Sequence, residues 1–333
     1  MNNVAINGFG RIGKSLLRAY IQDKQAQKSM KIVVINIGPA KIAEVAHMFK
    51  YDTDMGNFSG TVSFDGTYLH IDDHDPIAVV AKLSPADIGW GRYEVDWVVD
   101  ATGAFTHKLK AMEHVYAGAK KVLISAPGFG VDKTLVPGVN DSWYDESDVV
   151  VSLASCTTNA LAPLLKVLHE NFDVQTAMMN TIHAYTNRQV LIDGPAKDLR
   201  LSRGATVNII PAQSEAASQV DIVYPELAGK VITTSTRVPV AKVSLLDLTF
   251  VTRNKIHIAA VNDVLVQASQ TSMKNIIGIS SEELVSLDFA NNPHSVVVDT
   301  LLTKTFDHTG KIFGWYDNEW GYSNRLKDFL ASR

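Results

Sequence analysis

The sequence predicts an α/β chain in two parts, a doubly wound domain on a parallel sheet followed by an α+β domain with a mainly antiparallel sheet. Three observations predict it. Up to residue 150, short apolar strand-like runs alternate with segments of helical spacing; a glycine-rich turn follows the first of those strands; and beyond residue 150 long strand-like runs succeed one another with few helices between them.

Taken in order, residues 3–7 read as a short buried strand and Gly8-Phe9-Gly10-Arg11-Ile12-Gly13 as a glycine turn. Residues 14–21 read as a helix with Leu16, Leu17 and Tyr20 at helical spacing. Lys31-Ile32-Val33-Val34-Ile35-Asn36 is a second apolar strand, and about 41–49 looks helical. Strands at 95–100 and 121–125 enclose a helix that opens at His107 and is ended by Gly118. This order implies parallel strands with right-handed crossovers. After Val150 come strands over 176–183, 231–240 and 243–252. Two long helices punctuate this half, one opening near Cys156 and one over about 257–272, where Ile258, Val261, Leu265 and Ala268 fall on one face. The domains are therefore drawn as 1–150 and 151–317.

A chain of 333 residues, 46% hydrophobic, is long enough for two packed cores. Lys and Arg number 31 against 35 Asp and Glu, so no broad basic field is present to grip nucleic acid. No apolar run reaches the eighteen or so residues of a membrane span. The first residues run straight into a strand without the pattern of a secretion signal. The single cysteine excludes an intramolecular disulfide and fits a reducing compartment. A cytoplasmic location is expected, without membrane or nucleic-acid partners and without a metal.

The glycines lie directly after a strand and before a helix, where they permit a tight turn and close approach of a pyrophosphate to a helix N-terminus, as in a Rossmann-type cofactor domain. The bland alternative is a structural turn. The usual acid at the end of the second strand, which bonds the ribose hydroxyls and repels a 2′-phosphate, is absent: Asn36-Ile37-Gly38 stands there, and no acid follows before Glu44. Selectivity between NAD and NADP should narrow accordingly. Lys41 is either a helper for a 2′-phosphate or a solvated helix lysine.

Val149-Val150-Val151-Ser152-Leu153-Ala154 reads as a strand and residues 160–168 as a helix, with Pro163 early enough to be tolerated. Ser155-Cys156-Thr157-Thr158-Asn159 bridges the two, so the thiol feels the positive end of a helix dipole and nearby amides that could bind an oxyanion. A lone cysteine is otherwise a small buried hydrophobe. Its polar neighbours leave both readings open.

At Ser155-Cys156-Thr157-Thr158-Asn159 the chain resembles the active-site signature of the phosphorylating glyceraldehyde-3-phosphate dehydrogenase family. The resemblance continues in order through Tyr51-Asp52, Ala101-Thr102-Gly103, Ile124-Ser125-Ala126-Pro127, Gly138-Val139-Asn140, Thr181-Ile182-His183-Ala184, Asn208-Ile209-Ile210-Pro211, Pro225-Glu226-Leu227, Arg237-Val238-Pro239 and Trp315-Tyr316-Asp317-Asn318-Glu319-Trp320-Gly321-Tyr322. It implies Cys156 as nucleophile and His183 as its base, a thioester made by oxidising glyceraldehyde 3-phosphate, and release by inorganic phosphate. It implies Thr186 and Arg237 around the substrate phosphate, and Ser155, Thr157, Arg203 and Ser214 around the attacking one. It further implies Gly8, Gly10, Arg11, Ile12, Gly13, Ile37, Thr102 and Ser125 around the cofactor, NAD or also NADP, with Asn318 and Tyr322 at the nicotinamide. A homotetramer is implied, with 185–208 packed on a neighbour, and a C-terminal helix over 318–333 that rejoins the first domain.

The chain departs from the family at Ile37, at Glu215, which follows Ser214 where a glycine is usual, at Leu153, which replaces an asparagine, and at Ala160, which replaces a second cysteine. Pro195 stands where NAD-preferring members carry proline, against the hint from Ile37. Glu215 is expected to point outward or to pair with Arg203. A sibling enzyme acting on erythrose 4-phosphate, an arsenate-using variant, and a non-catalytic binding protein are the competing expectations.

Overall fold

The computed structural model describes residues 1–333. The chain divides into two compact units. One holds Met1–Leu135, Ser142–Ala154 and Ser323–Arg333; the other holds Val136–Asp141 and Ser155–Tyr322.

The first unit is built on nine strands: β1 (Asn2–Asn7), β2 (Met30–Asn36), β3 (Val62–Phe64), β4 (Tyr68–Ile71), β5 (Ile77–Val80), β6 (Trp97–Asp100), β7 (Lys121–Ile124), β8 (Lys133–Thr134) and β9 (Val150–Ser152). Helices α1 (Arg11–Gln22), α2 (Ile42–Lys50) and α3 (Lys108–Tyr116) connect them. The sheet order is β3-β4-β5-β2-β1-β6-β7-β9-β8, parallel except at β3 and β4. Because β1 pairs with β2 on one side and β6 on the other, the chain reverses its winding there, which opens a crevice at the carboxyl ends of these strands. Strands β3 and β4 were not legible in the sequence because they are only three and four residues long, too short to show a period, and β3 buries none of its side chains fully.

The second unit carries β10 (Val174–Ala184), β11 (Ile210–Ala212), β12 (Val231–Val238), β13 (Ser244–Thr252), β14 (Ile277–Ser280), β15 (Val296–Phe306) and β16 (Thr309–Tyr316), with α4 (Cys156–Phe172), α5 (Ala216–Val223) and α6 (Ile258–Gln270). The order β11-β12-β10-β13-β16-β15-β14 is antiparallel except for the β10–β12 and β14–β15 pairs. Helix α7 (Trp320–Ala331) starts here and ends in the first unit. No helix is long and apolar enough to cross a membrane.

Helix α4 opens at Cys156, as expected of a helix opening near that residue, because the Ser155 hydroxyl accepts the Thr158 N–H at 3.0 Å and starts the helix there. Three sequence expectations are corrected. Pro163 is not early in this helix but well inside it, where it removes one i→i−4 bond in a segment that is otherwise buried. Strand β12 stops at Val238 because Pro239 has no N–H to give the ladder. In α6, Val261, Leu265 and Ala268 are buried as expected, but Ile258 in the first turn is 43% exposed.

Asp52 ties α1 down. Its buried carboxylate accepts from Arg11 Nη1 at 2.6 Å and Lys14 Nζ at 2.9 Å. Burial alone would raise this carboxyl, but the two cations outweigh it and hold it far below the usual carboxylate range. A carboxylate depressed in the folded state stabilises the fold above its unfolded value of about 4 and loses that contribution as pH falls toward the folded one. Asp52→Ala is therefore expected to cost about 3 kcal/mol at neutral pH. Urea titrations should show the gap closing in acid; an equal gap at both pH values would count against this account.

Candidate active site

Strand β9 ends at Ser152, Ala154 takes φ 51, and Ser155 caps α4. A left-handed alanine is sparsely populated and turns the chain sharply. Ser155 Oγ, 2.7 Å from Thr158 Oγ1 and bonded to the Thr158 amide, is engaged in capping. Cys156 is thus the first residue of a seventeen-residue helix, half-buried, at its positive end.

His183 lies near the carboxyl end of β10, and the parallel register with β12 sets Arg237 directly beside it. His183 Nε2 is 3.8 Å from Cys156 Sγ, a thiol–imidazole contact that spacing alone could not establish. Nδ1 lies 2.6 Å from the Ala184 carbonyl oxygen and 2.6 Å from Arg237 Nη1, which also donates to that carbonyl at 3.3 Å. Burial, and then the Arg237 charge, hold the imidazole down at about 3. Burial pushes the Cys156 thiol up, while Arg237 and the Thr157 hydroxyl pull the other way. The resting pair is a neutral thiol facing a neutral imidazole.

A chain of hydroxyls backs this pair. Thr157 Oγ1 is 4.0 Å from Sγ and 3.1 Å from Tyr316 Oη, which is 2.6 Å from Thr181 Oγ1. The Tyr316 ring meets His183 edge-on, with centroids 6.0 Å apart. Neither Tyr316 nor Thr181 was singled out from the sequence. The strict alternation of buried positions along β16 carries the signal that sets Tyr316 inward. Ser244 Oγ accepts the Ala184 N–H at 3.1 Å and donates to Asn318 Oδ1 at 3.2 Å, so Asn318 is tied to the end of the His183 strand. Beside it Asp317, buried, pairs with Lys242 at 3.1 Å and accepts the Trp320 N–H at 2.9 Å. Tyr322 is buried, and burial followed by the nearby Cys156 raises its phenol well above the ordinary value.

The remaining residues expected at the anion pockets have other partners. Thr186 N–H donates to Gln189 Oε1 at 3.3 Å. Ser214 Oγ accepts the Ala216 N–H at 3.4 Å, reaching the first turn of α5. Of the two expectations for Glu215, the outward one holds and the Arg203 pair is not formed. Arg203 Nε lies 2.7 Å from Asp193 Oδ2 with both side chains more than half exposed, because the two share one loop and Glu215 instead faces solvent at the N-cap of α5. Leu153, in place of a polar residue, is fully buried.

In the first unit the residues suit a dinucleotide. Gly10, the N-cap of α1, supplies no side-chain cap, no acid lies in the first turn, and a Cβ there would meet nothing within 4 Å. That open approach to helical amides accommodates a pyrophosphate. Gly13 and Gly8 are needed for packing, since a Cβ on Gly13 would come 2.3 Å from the Gly8 carbonyl oxygen and one on Gly8 2.7 Å from Thr102 Cγ2. The Arg11 guanidinium is committed to Asp52 and Asp54, so toward a phosphate this residue and Ile12 offer backbone. Below the loop a buried row levels the strand ends: Asn36 Nδ2 donates to Asn7 Oδ1 at 2.7 Å, and Asn7 Nδ2 to Asp100 Oδ2 at 2.7 Å. Thr102 Oγ1 donates to Asp100 Oδ1 and Ser125 Oγ to the Asp100 carbonyl, each at 2.8 Å.

Residues 2–108 match the family model described as glyceraldehyde 3-phosphate dehydrogenase, NAD binding domain, and residues 155–318 match its C-terminal domain. The chain belongs to the glyceraldehyde-3-phosphate dehydrogenase family. It is 46% identical over 327 residues to the plasmid-encoded glyceraldehyde-3-phosphate dehydrogenase of Cupriavidus necator, covering 98% of this chain and 96% of that one. Identity is 43% over 330 residues both to the enzyme of Mycolicibacterium smegmatis, with 98% and 97% covered, and to glyceraldehyde-3-phosphate dehydrogenase 2 of Bacillus subtilis, with 98% and 95% covered. Family membership agrees with the architecture, a doubly wound unit for NAD and a second unit on a mainly antiparallel sheet.

Proposed function

We propose that this protein oxidises glyceraldehyde 3-phosphate to 1,3-bisphosphoglycerate with NAD and inorganic phosphate, through a thioester on Cys156. The observation that carries the reading is the 3.8 Å contact of Cys156 Sγ with His183 Nε2 at the start of α4, backed by Arg237. Sγ attacks the aldehyde carbon as its proton passes through Nε2 to the carbonyl oxygen, giving a hemithioacetal. Nε2 then takes back the hydroxyl proton while the C–H pair leaves as hydride. Bound NAD supplies the acceptor for that hydride. An oxygen of inorganic phosphate attacks the thioester carbon, the C–S bond breaks, and the sulfur recovers a proton as the acyl phosphate departs.

The base needs its proton on Nδ1, the tautomer that the Ala184 carbonyl stabilises by accepting. Arg237 opposes it, because its N–H seeks a bare Nδ1. A substrate phosphate that engages Arg237 relieves this opposition and leaves Nε2 free to accept. Thr186 is assigned with Arg237 to the substrate phosphate. Ser155, Thr157, Arg203 and Ser214 serve the attacking phosphate, with Thr157 held by Tyr316. Gly8, Gly10, Arg11, Ile12, Gly13, Ile37, Thr102 and Ser125 hold the dinucleotide, and Asn318 and Tyr322 attend the nicotinamide.

A homotetramer in the cytoplasm completes the reading. A nucleophilic thiol is kept reduced there. Leu191, Ile192, Leu199, Val207 and Ile209 are each more than 70% exposed on a loop that is internally bonded through Asp193, and so much outward apolar surface calls for a covering copy. Steady-state NAD reduction with glyceraldehyde 3-phosphate should depend on inorganic phosphate, and light scattering should return four times 36.4 kDa. Turnover indifferent to phosphate would overturn the proposed chemistry, and a monomeric mass the assembly.

A further inference from the structure

Strands β13 and β16 end their ladder at the Ser244–Tyr316 pair, and the chain just outside that pair carries two buried charges. Lys242 precedes Ser244 by two residues and Asp317 follows Tyr316. Their side chains are 4% and 0% exposed, and Lys242 Nζ is 3.1 Å from Asp317 Oδ2. Taking both charges out of water is costly, and such a pair adds little net stability, so what it fixes matters more than what it adds.

Each oxygen of Asp317 has its own task. Oδ1 accepts the N–H groups of Glu319 at 3.2 Å and Trp320 at 2.9 Å, capping α7, while Oδ2 accepts the Asn291 N–H at 2.8 Å. Lys242 Nζ also donates to Asn291 Oδ1 at 2.7 Å, so cation, carboxylate and Asn291 close a clamp of three groups. Asn291 stands at φ 63, in the left-handed region that asparagine tolerates. The turn around it is anchored from both sides. Phe289 stacks on Trp315 with centroids 5.3 Å apart, and the chain beyond Asn291 lies against the first turn of α7, where a Cβ on Gly321 would come 2.4 Å from the His294 carbonyl oxygen. Asn318 lies between Asp317 and the amides that Asp317 caps, and its side chain takes a neutral bond from Ser244 Oγ at 3.2 Å. Its place is therefore set mainly by the clamp on either side of it.

We propose that Lys242 is a positioning residue for hydride transfer: by neutralising Asp317 and tying it to Asn291, it holds the 317–320 turn, and with it Asn318, where the nicotinamide needs it. The inference rests on the reading that Asn318 attends the nicotinamide and deepens it by naming what holds Asn318. Lys242 acts through Asp317 and Asn291. The leverage is large, because misplacing a reacting group by about 1 Å can slow its reaction on the order of a hundredfold.

Two measurements on the full-length protein test this: calorimetric titration with NAD and with ADP-ribose, which lacks the nicotinamide, and the pre-steady-state burst of NADH formation with glyceraldehyde 3-phosphate. Lys242→Met alone leaves the Asp317 carboxylate buried without its cation and is expected to fold poorly. Lys242→Met combined with Asp317→Asn removes both charges, keeps an oxygen for the Trp320 N–H, and should melt near wild type. That double variant is expected to bind ADP-ribose as the wild type does, to bind NAD more weakly, and to slow the burst by about tenfold or more. Asn291→Gly, which suits φ 63, keeps both charges and removes only the side chain that joins Lys242 to the turn; it should move both readouts the same way by a smaller factor. A double variant that keeps either the wild-type burst or the wild-type ratio of NAD to ADP-ribose affinity overturns the inference. Parallel weakening of the two ligands is one such result and would make the clamp a general support of the fold. If Asn318→Ala still slows the burst, the nicotinamide reading stands without Lys242, whereas an unchanged burst in Asn318→Ala removes that reading as well.

Discussion

Cys156→Ala is expected to reduce phosphate-dependent NAD reduction by about a millionfold, to background. No other cysteine exists in the chain to substitute, and the neighbouring Ser155 hydroxyl is engaged in capping α4. In the proposed chemistry sulfur forms and breaks every covalent bond that the protein makes with substrate, so its loss removes the pathway instead of slowing a step. The fold should survive. Cys156 is half-buried, its N–H lies in the first turn of α4, and an alanine retains the helix start, so the stability change should be about 1 kcal/mol. A variant that binds NAD normally in calorimetry and melts near wild type, yet turns over above about 1% of the wild-type rate, would show that the thioester is not on the path.

The second large effect is at the base. His183→Asn should lower kcat/KM by about 10²–10⁴-fold, the ordinary range for a positioned proton-transfer group. Its pH profile carries the sharper test. With the imidazole held at about 3 by burial and by Arg237, the base is already unprotonated throughout the working range, so no acid limb arises from it. The thiol, pushed up by burial, supplies the titration instead, and the rate should rise with pH through the alkaline range as it ionises. The His183→Asn profile should keep that rise at a lower height. A limb between about pH 6 and 7 in the wild type that disappears in the variant would mean that His183 titrates like a solvated imidazole, against the buried pair described above.

Much of the architecture was legible because it is encoded locally. Apolar runs such as Ile32 to Ile35 make buried parallel strands wherever they pack, and a glycine loop between a strand and a helix has few other uses. The residues around Cys156 marked a helix start, although the capping role of Ser155 became visible only once its hydroxyl was seen on the Thr158 amide. Strands β3 and β4 left no mark because three and four residues are too few to show a period.

By itself, then, the sequence determined the two-part α/β plan, the helix-borne thiol, the missing acid at Ile37 and, through ordered short motifs, the family. Only the tertiary structure decided which groups meet. The parallel register of β10 with β12 sets Arg237 on His183, β16 turns Tyr316 onto Thr157 and Thr181, and the end of its ladder with β13 brings Asp317 to Lys242. It also chose between the two expectations for Glu215, turning it outward and giving Arg203 to Asp193. The reason is physical: propensity and periodicity act over one or two turns of chain, whereas hydrogen bonds and charge pairs depend on distances of a few ångströms, which only the packed sheets set.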